Sequence, residues 1–364
     1  MGQVLESVMG KSFSILLAAL LISSPAWAIR ISAVGDIMMG STYPDSSSLI
    51  ERDFFREVRP FFSASDVRIG NLEGTLFDGD IQTDGKRGGA NRYLFKTPTR
   101  LAPHLTEAGF NFLSLANNHS RDFGRAGLES TKRTLSENGI GFSSKDGEVS
   151  EINIDGQKVA VISADFYQGK RSITTPASLY AEIRSLSNRY DIVIVMVHSG
   201  AEGMGAEKTR NNKEMFLGEN RGNSVEFAHS AISAGADLIL MSGPHVPRGL
   251  EVYNERLIAY SLGNFLTERG ISISGYQGLA PLLEAELDST GRFLSGNIHS
   301  FQQIRGRPVS IDPKARAYRL MSRMSAEDFP GTAPVFSADG RSIRPSHSPS
   351  AIGTESDLLP IYRP

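Results

Sequence analysis

Cysteine is absent from all 364 residues, so the chain has neither disulfides nor a thiolate nucleophile, and a lipid anchor through an N-terminal cysteine is excluded. An oxidising compartment would be tolerated but not exploited. Tryptophan occurs once, at Trp27. An excess of either charge sign is also missing: the net charge is −2, with 21% charged and 40% hydrophobic residues. That ordinary globular balance leaves nucleic acid out of the expected partners, because following a phosphate backbone requires a basic face. Long hydrophobic runs are lacking as well. The apolar stretch Phe13 to Ile22 falls short of the roughly 20 residues a spanning helix needs. It follows Lys11 and leads through Ser23, Ser24 and Pro25 to Ala26-Trp27-Ala28, the pattern of a secretory signal peptide over residues 1–28. The expected mature chain begins at Ile29, keeps no stable transmembrane anchor, and is periplasmic or secreted.

Short β-branched or apolar runs alternate with amphipathic stretches, which is the pattern of an α/β protein. The runs predict strands over Arg30 to Val34, Asp66 to Gly70, Phe110 to Leu115, Val159 to Ser163, Ile192 to Val197 and Leu238 to Met241. Helices are expected over Thr99 to Ala108, Gly124 to Asn138, Ser178 to Arg189 and Ser224 to Ala234. Gly139 and Gly235 stand where left-handed C-terminal caps would sit. Beyond them, Gly249 to Phe265 reads as two strands around Asn254-Glu255, and Leu282 to Leu287 with Arg292 to Gln302 as a hairpin closing an antiparallel portion of the sheets. Asp78 to Arg92 and Met204 to Gly222 read as surface loops near the site. One main domain is expected over 29–305, followed by a C-terminal helical extension over 306–341 and a Ser- and Pro-rich mobile tail over 342–364.

Polar residues recur where strands end. The first strand runs into Gly35-Asp36, the second into Asn71-Leu72-Glu73-Gly74, and the third into Asn117-Asn118-His119. Two later strands end in His198-Ser199-Gly200-Ala201-Glu202 and Gly243-Pro244-His245. Carboxylates, an amide oxygen and imidazoles delivered from neighbouring carboxyl ends converge on one rim of a sheet, where α/β proteins place ligands. This mixture of oxygen and nitrogen donors suits a divalent ion such as manganese, zinc or iron better than calcium. Taken singly, each residue could equally close a turn or satisfy a local backbone group.

The order of these motifs, together with Asp122, Gly124 and Tyr260-Ser261-Leu262-Gly263-Asn264-Phe265, resembles the motif series of the capsule-synthesis (CapA) family from about Ile31 to Glu286. The resemblance implies a four-layer α/β/β/α sandwich related to the calcineurin-like metallophosphoesterases. It also implies a role in making, exporting or attaching an extracellular polymer, for some members poly-γ-glutamate. Carried over by position, Asp36, Glu73, Asn118, His198 and His245 resemble metal ligands, and His119 resembles the acid histidine. Met38 stands where the first motif has a histidine, and Ser242 and Gly243 stand where a histidine precedes the last one. The ligand set is therefore incomplete, for one or two weakly held ions.

A metal-dependent hydrolase or transferase would polarise a phosphoryl or acyl centre, with His119 protonating the leaving group and Asp122 orienting its imidazole. Glu202, Arg248 and Asn264 lie beside motif residues and are candidate substrate contacts; for Glu202 and Arg248 a surface ion pair is the alternative. Two other readings stay open: a non-catalytic component of a polymer-export complex that binds metal or an anionic chain, and a periplasmic metallophosphatase.

Overall fold

Alternation along the strand Ile29–Met38 sets the architecture. Ile29, Ile31 and Ala33 face one core, while Val34 and Ile37 face another, so the strand is covered on both sides. The structure, a computed structural model, describes residues 28–46, 49–80, 93–268 and 270–346. The proposed signal peptide lies outside them apart from Ala28, as do residues 81–92 of the first expected loop.

Among the described residues the first sheet has ten strands. Its path runs Val335–Phe336, Ser342–Arg344, Phe293–Gln302, Leu279–Leu287, Ile29–Met38, Val67–Leu72, Phe112–Ser114 and Gly141–Ser143. Asn264–Thr267 pairs in parallel with the end of Ile29–Met38, and Ser310–Ile311 pairs with Phe293–Gln302. The second sheet has six strands, ordered Leu250–Tyr253, Arg256–Ala259, Leu238–Ser242, Ile192–His198, Gln157–Asp165 and Ser150–Ile154. The expected hairpin is present, with Leu279–Leu287 antiparallel to both Ile29–Met38 and Phe293–Gln302.

Three apolar layers make the sandwich. Between the sheets, Ile31, Val67 and Ile69 of the first meet Val161, Ile194 and Leu240 of the second. Outside the first sheet, Val34, Leu72 and Leu113 pack with Leu101, Leu105, Leu128 and Leu135 of its helical layer. Outside the second, Ile162, Val195 and Ile239 pack with Leu179, Ile183, Phe227 and Ala231. The result is the expected four-layer α/β/β/α order. The helix Gly124–Glu137 shows why: its buried Leu128, Thr131 and Leu135 recur at three- and four-residue spacing. Gly139 and Gly235 follow their helices at φ +69° and +111°, the left-handed geometry expected of them.

The C-terminal boundaries differ from the sequence reading. Residues 306–341 are not a separate extension, because Tyr318 and Met321 of the helix Arg316–Asp328 share the inter-sheet core. Ser342–Arg344, expected to begin a mobile tail, forms a strand against Phe293–Gln302 and buries Ile343 in that same core. A polar tail sequence hid one well-placed isoleucine. Residues 347–364 lie outside the described residues. Among the described residues, no helix is long and apolar enough to cross a membrane.

Candidate functional site

Strand ends from both sheets meet at one rim. Asp36, near the end of Ile29–Met38, is in register with Asn71 on one side and Asn264 on the other. His198 closes Ile192–His198 in register with Ser242 and Asp165. Gly35 permits the close approach: a Cβ there would lie 1.8 Å from the Gly263 carbonyl oxygen, to which the Asp36 N–H donates at 2.9 Å.

Asp36, Glu73 and His198 each place a ligand-type atom so that all three atoms lie within 4.8 Å of one another. All three side chains are fully buried. Asp36 Oδ1 accepts from Asn71 Nδ2 at 2.8 Å, and Oδ2 accepts from His245 Nδ1 at 3.0 Å. Burial would push the Asp36 carboxyl up, but the bond and charge of His245, the charge of His198 and the Asn71 bond hold it below its usual value. Glu73 has less relief, from the charge of His245 alone. Among the described residues neither of its carboxylate oxygens has a hydrogen-bond partner, and burial followed by the charge of Asp36 pushes its pKa well up. A buried carboxylate in this position takes either a proton or a cation.

The imidazoles divide the remaining work. Burial pushes His198 down to about 3, which leaves it neutral. Its Nδ1 sits 3.2 Å from Ser242 Oγ, and its buried Nε2 has no hydrogen-bond partner among the described residues. A neutral ring with an unengaged nitrogen is a metal-ligand chemistry. His245 sits at φ +59°, with Nδ1 held between Asp36 Oδ2 and Asn264 Oδ1 at 3.0 and 2.9 Å. Because both neighbours are acceptors, Nδ1 carries the proton. Nε2 then faces Glu73 Oε1 at 3.8 Å and Glu202 Oε2 at 3.7 Å. Burial would lower the His245 pKa, but Glu73, Asp36 and Glu202 outweigh it and raise the value to about 10. The rim thus holds three carboxylates around one imidazole, a cavity that attracts positive charge.

His119 points into the same cavity. Its Nδ1 is 2.8 Å from Asp122 Oδ2, and its Nε2 is 3.9 Å from Glu73 Oε1. Asp122 is fully buried and also accepts from the Phe95 N–H, while the Phe95 ring lies 4.2 Å from the imidazole, centre to centre. The i, i+3 spacing read from the sequence therefore yields an oriented pair. Asn117 rather than its neighbour locks the loop, donating to Asn71 Oδ1 and Leu72 O and accepting from the His119 N–H. Asn118 is half-buried beside this loop.

Two candidate substrate contacts take other positions. Arg248 is fully buried and donates to both carboxylate oxygens of Glu214 at 2.9 and 2.7 Å and to the Ala206 carbonyl at 2.7 Å. It fastens the 201–222 segment. Asn264 is also fully buried, its amide donating to the Ser272 and Gln277 carbonyls, so that it orients His245. Glu202 does face the cavity, and Arg221, missed in the sequence, grips it at 2.6 Å. Arg221 arrives on the hairpin Glu214–Phe216 and Glu219–Gly222, with its guanidinium 4.3 and 5.1 Å from the Phe166 and Phe216 ring centres. The missing histidines also have physical counterparts. Met38 packs with Phe95 and Ile271, and Gly243 sits at φ +118°, where a Cβ would lie 2.7 Å from the Ser199 carbonyl oxygen.

Residues 30–269, well over half the chain, match the profile of the family described as "Bacterial capsule synthesis protein PGA_cap". "PGA biosynthesis protein CapA" of Bacillus subtilis (strain 168) is 30% identical over 283 residues, covering 73% of this chain and 70% of that protein. "Capsule biosynthesis protein CapA" of Bacillus anthracis is 29% identical, covering 66% of this chain and 60% of that protein. Among solved structures, a 5'-nucleotidase precursor from Thermus thermophilus aligns over 83% of this chain and 59% of its own, at 12% identity and TM-score 0.41. The layer order rests on the sheet pairing and core packing above, not on that alignment. With its motif series in order, its strand-end residues gathered at one rim and this match in hand, the chain belongs to the bacterial capsule synthesis protein (PGA_cap) family.

Proposed function

We propose that this protein is an exported, divalent-cation-dependent hydrolase or transferase acting in the synthesis, export or attachment of an extracellular polymer of the polyglutamate type. One observation carries the reading: a buried acid and imidazole with unengaged donor atoms, Glu73 and His198, stand beside an oriented acid–base pair, His119 and Asp122. The donor set fits a manganese, zinc or iron ion. Asp36, Glu73 and His198 would hold it, with Asn118 and His245 completing an environment for one or two ions. Such an ion would act as a Lewis acid toward the scissile phosphoryl or acyl group. His119 would hold the proton at Nε2 and pass it to the leaving group, while Asp122 fixes the ring through Nδ1 and stabilises its charged form. Phe95 keeps water from one face of that ring.

The relatives' printed names support the polymer reading: they include "PGA biosynthesis protein CapA" of Bacillus subtilis and "Probable polyglutamine synthesis accessory protein" of Mycobacterium tuberculosis. Export follows from the N-terminal pattern: cleavage after Ala28 would make the first residue of the mature chain the first residue of the strand Ile29–Met38. N-terminal sequencing of protein from the periplasmic or secreted fraction is expected to begin at Ile29; a membrane-sedimenting chain retaining Met1 would refute it.

The decisive test is His119→Ala in a polymer-producing strain. Metal content by mass spectrometry and the fold are expected to be kept, with turnover reduced about 10²–10⁴-fold. His198→Ala is expected to lose metal first. Met38 and Gly243, which leave two imidazoles out, favour the second reading, a non-catalytic metal- or polymer-binding component. Wild-type polymer output with His119→Ala would establish that reading in place of ours.

A further inference from the structure

A second charged feature lies away from the strand-end site. The helix Arg316–Asp328 buries Ala317, Leu320, Met321 and Met324, which places Arg316, Arg319 and Arg323 on its exposed face. Together with Tyr276, Leu279 and Leu320 they line a groove of about 440 Å³. The helix rise spaces the arginines about 4.5 and 6 Å apart along the axis. That sets three guanidinium-bearing positions in a row along the groove, a layout open to a chain that carries repeated anionic groups.

The three cations are committed to different degrees. Arg316 is held by Asp312 at 2.8 Å and by Gln302 at 2.6 Å. Arg323 donates to the Tyr276 hydroxyl at 3.1 Å and reaches Glu327 only at 4.0 Å. Among the described residues, no carboxylate lies within 4.0 Å of Arg319. A guanidinium fork on an apolar floor, beside a tyrosine ring, is built for planar anions. In a chain with net charge −2, three arginines on one grooved face are not a general excess of basic residues.

The groove also touches the site through one segment. Ser272 and Gln277 carbonyls hold Asn264, which orients His245, and Tyr276 of that same segment forms the groove wall. We propose that this arginine groove is a binding site for an acidic polymer with one carboxylate per repeat, holding the chain beside the segment that positions His245. The polymer class rests on the functional reading above; the groove does not.

The test uses the full mature chain and fluorescently labelled poly-γ-glutamate, with polyphosphate as the competing polyanion. Arg319→Glu combined with Arg323→Gln is expected to weaken poly-γ-glutamate binding by at least about tenfold, since charge-assisted hydrogen bonds are lost. Binding should also weaken as salt rises. Metal content should not change, and Arg184→Glu combined with Arg189→Gln, an equal charge change on exposed positions elsewhere, should leave binding as it was. Equal binding by the groove variant and the wild type would overturn the proposal, as would a wild type that binds no polymer. Polyphosphate binding as tightly as poly-γ-glutamate would overturn the carboxylate assignment. Each of these failures leaves the His119→Ala result untouched, so loss of the groove and loss of the active-site reading are told apart.

Discussion

Replacing Arg248 with alanine tests whether this side chain is a fastener or a substrate contact. Its side chain is 1% exposed, and that of its partner Glu214 is 13% exposed. Truncation removes both bonds to the Glu214 carboxylate and the bond to the Ala206 carbonyl. Glu214 is then left with the Ala201 N–H, at 2.9 Å, as its remaining bond from this cluster. Breaking a buried pair by deleting one partner costs about 3–5 kcal/mol, because the other charge stays desolvated and uncompensated. That is a large share of the roughly 5–15 kcal/mol that holds a domain folded. Urea unfolding of the mature chain, extrapolated to water, measures it. Glu214→Gln should cost less, and the double variant less than the sum, since the two residues share one interaction. Metal content should stay at the wild-type level, because no proposed ligand is touched. A loss of stability below about 1 kcal/mol combined with a raised KM would refute the argument and return Arg248 to the substrate.

Two further outcomes follow from particular contacts. Burial would raise the Glu148 carboxyl, but its bonds to Lys132 and Ser144 hold it at about 2, below the ordinary 4.5. Its contribution is therefore complete above pH 4.5 and lost as pH falls through about 2; Glu148→Gln should flatten that part of the acid-unfolding curve, on the order of 1–2 kcal/mol after solvent screening, and an unchanged curve would refute it. Gly243→His puts an added imidazole at a backbone of φ +118° with the Ser199 carbonyl in the way, so it should lose roughly 1–3 kcal/mol in urea unfolding without raising metal content, and a gain of bound metal would show that the loop yields.

What could be read from the sequence was whatever a short stretch of chain decides by itself. The strands, the helices with their glycine caps, and the His119–Asp122 pair all rest on spacings of a few residues. The rim location was also legible, because strand ends in an α/β protein converge. Side-chain direction was not. Arg248 and Asn264 sit beside motif residues, yet their partners, Glu214 and the Ser272 and Gln277 carbonyls, come from chain segments whose return path no local pattern shows. Arg221 was hidden for a related reason. The stretch Met204 to Gly222 reads as a polar loop, and only the hairpin brings its arginine between two aromatic rings and onto Glu202.

The pairing of the first strand has a consequence for how the chain reaches this state. Ile29–Met38 lies between Val67–Leu72, made soon after it, and Leu279–Leu287, with Ile29 opposite Leu287 and Val34 opposite Leu282. During synthesis one edge of that strand therefore waits for some 250 residues, including the whole second sheet, before its partner exists. An unpaired, apolar edge is where chains stick to one another, and pairing across such separations is slow. The family match ends at residue 269, before Leu279–Leu287 begins. A chain cut at that match would keep every proposed ligand and yet leave Ile29 to Val34 of the strand that carries Asp36 with an open edge. The stretch that the profile matches and the unit that folds end at different residues.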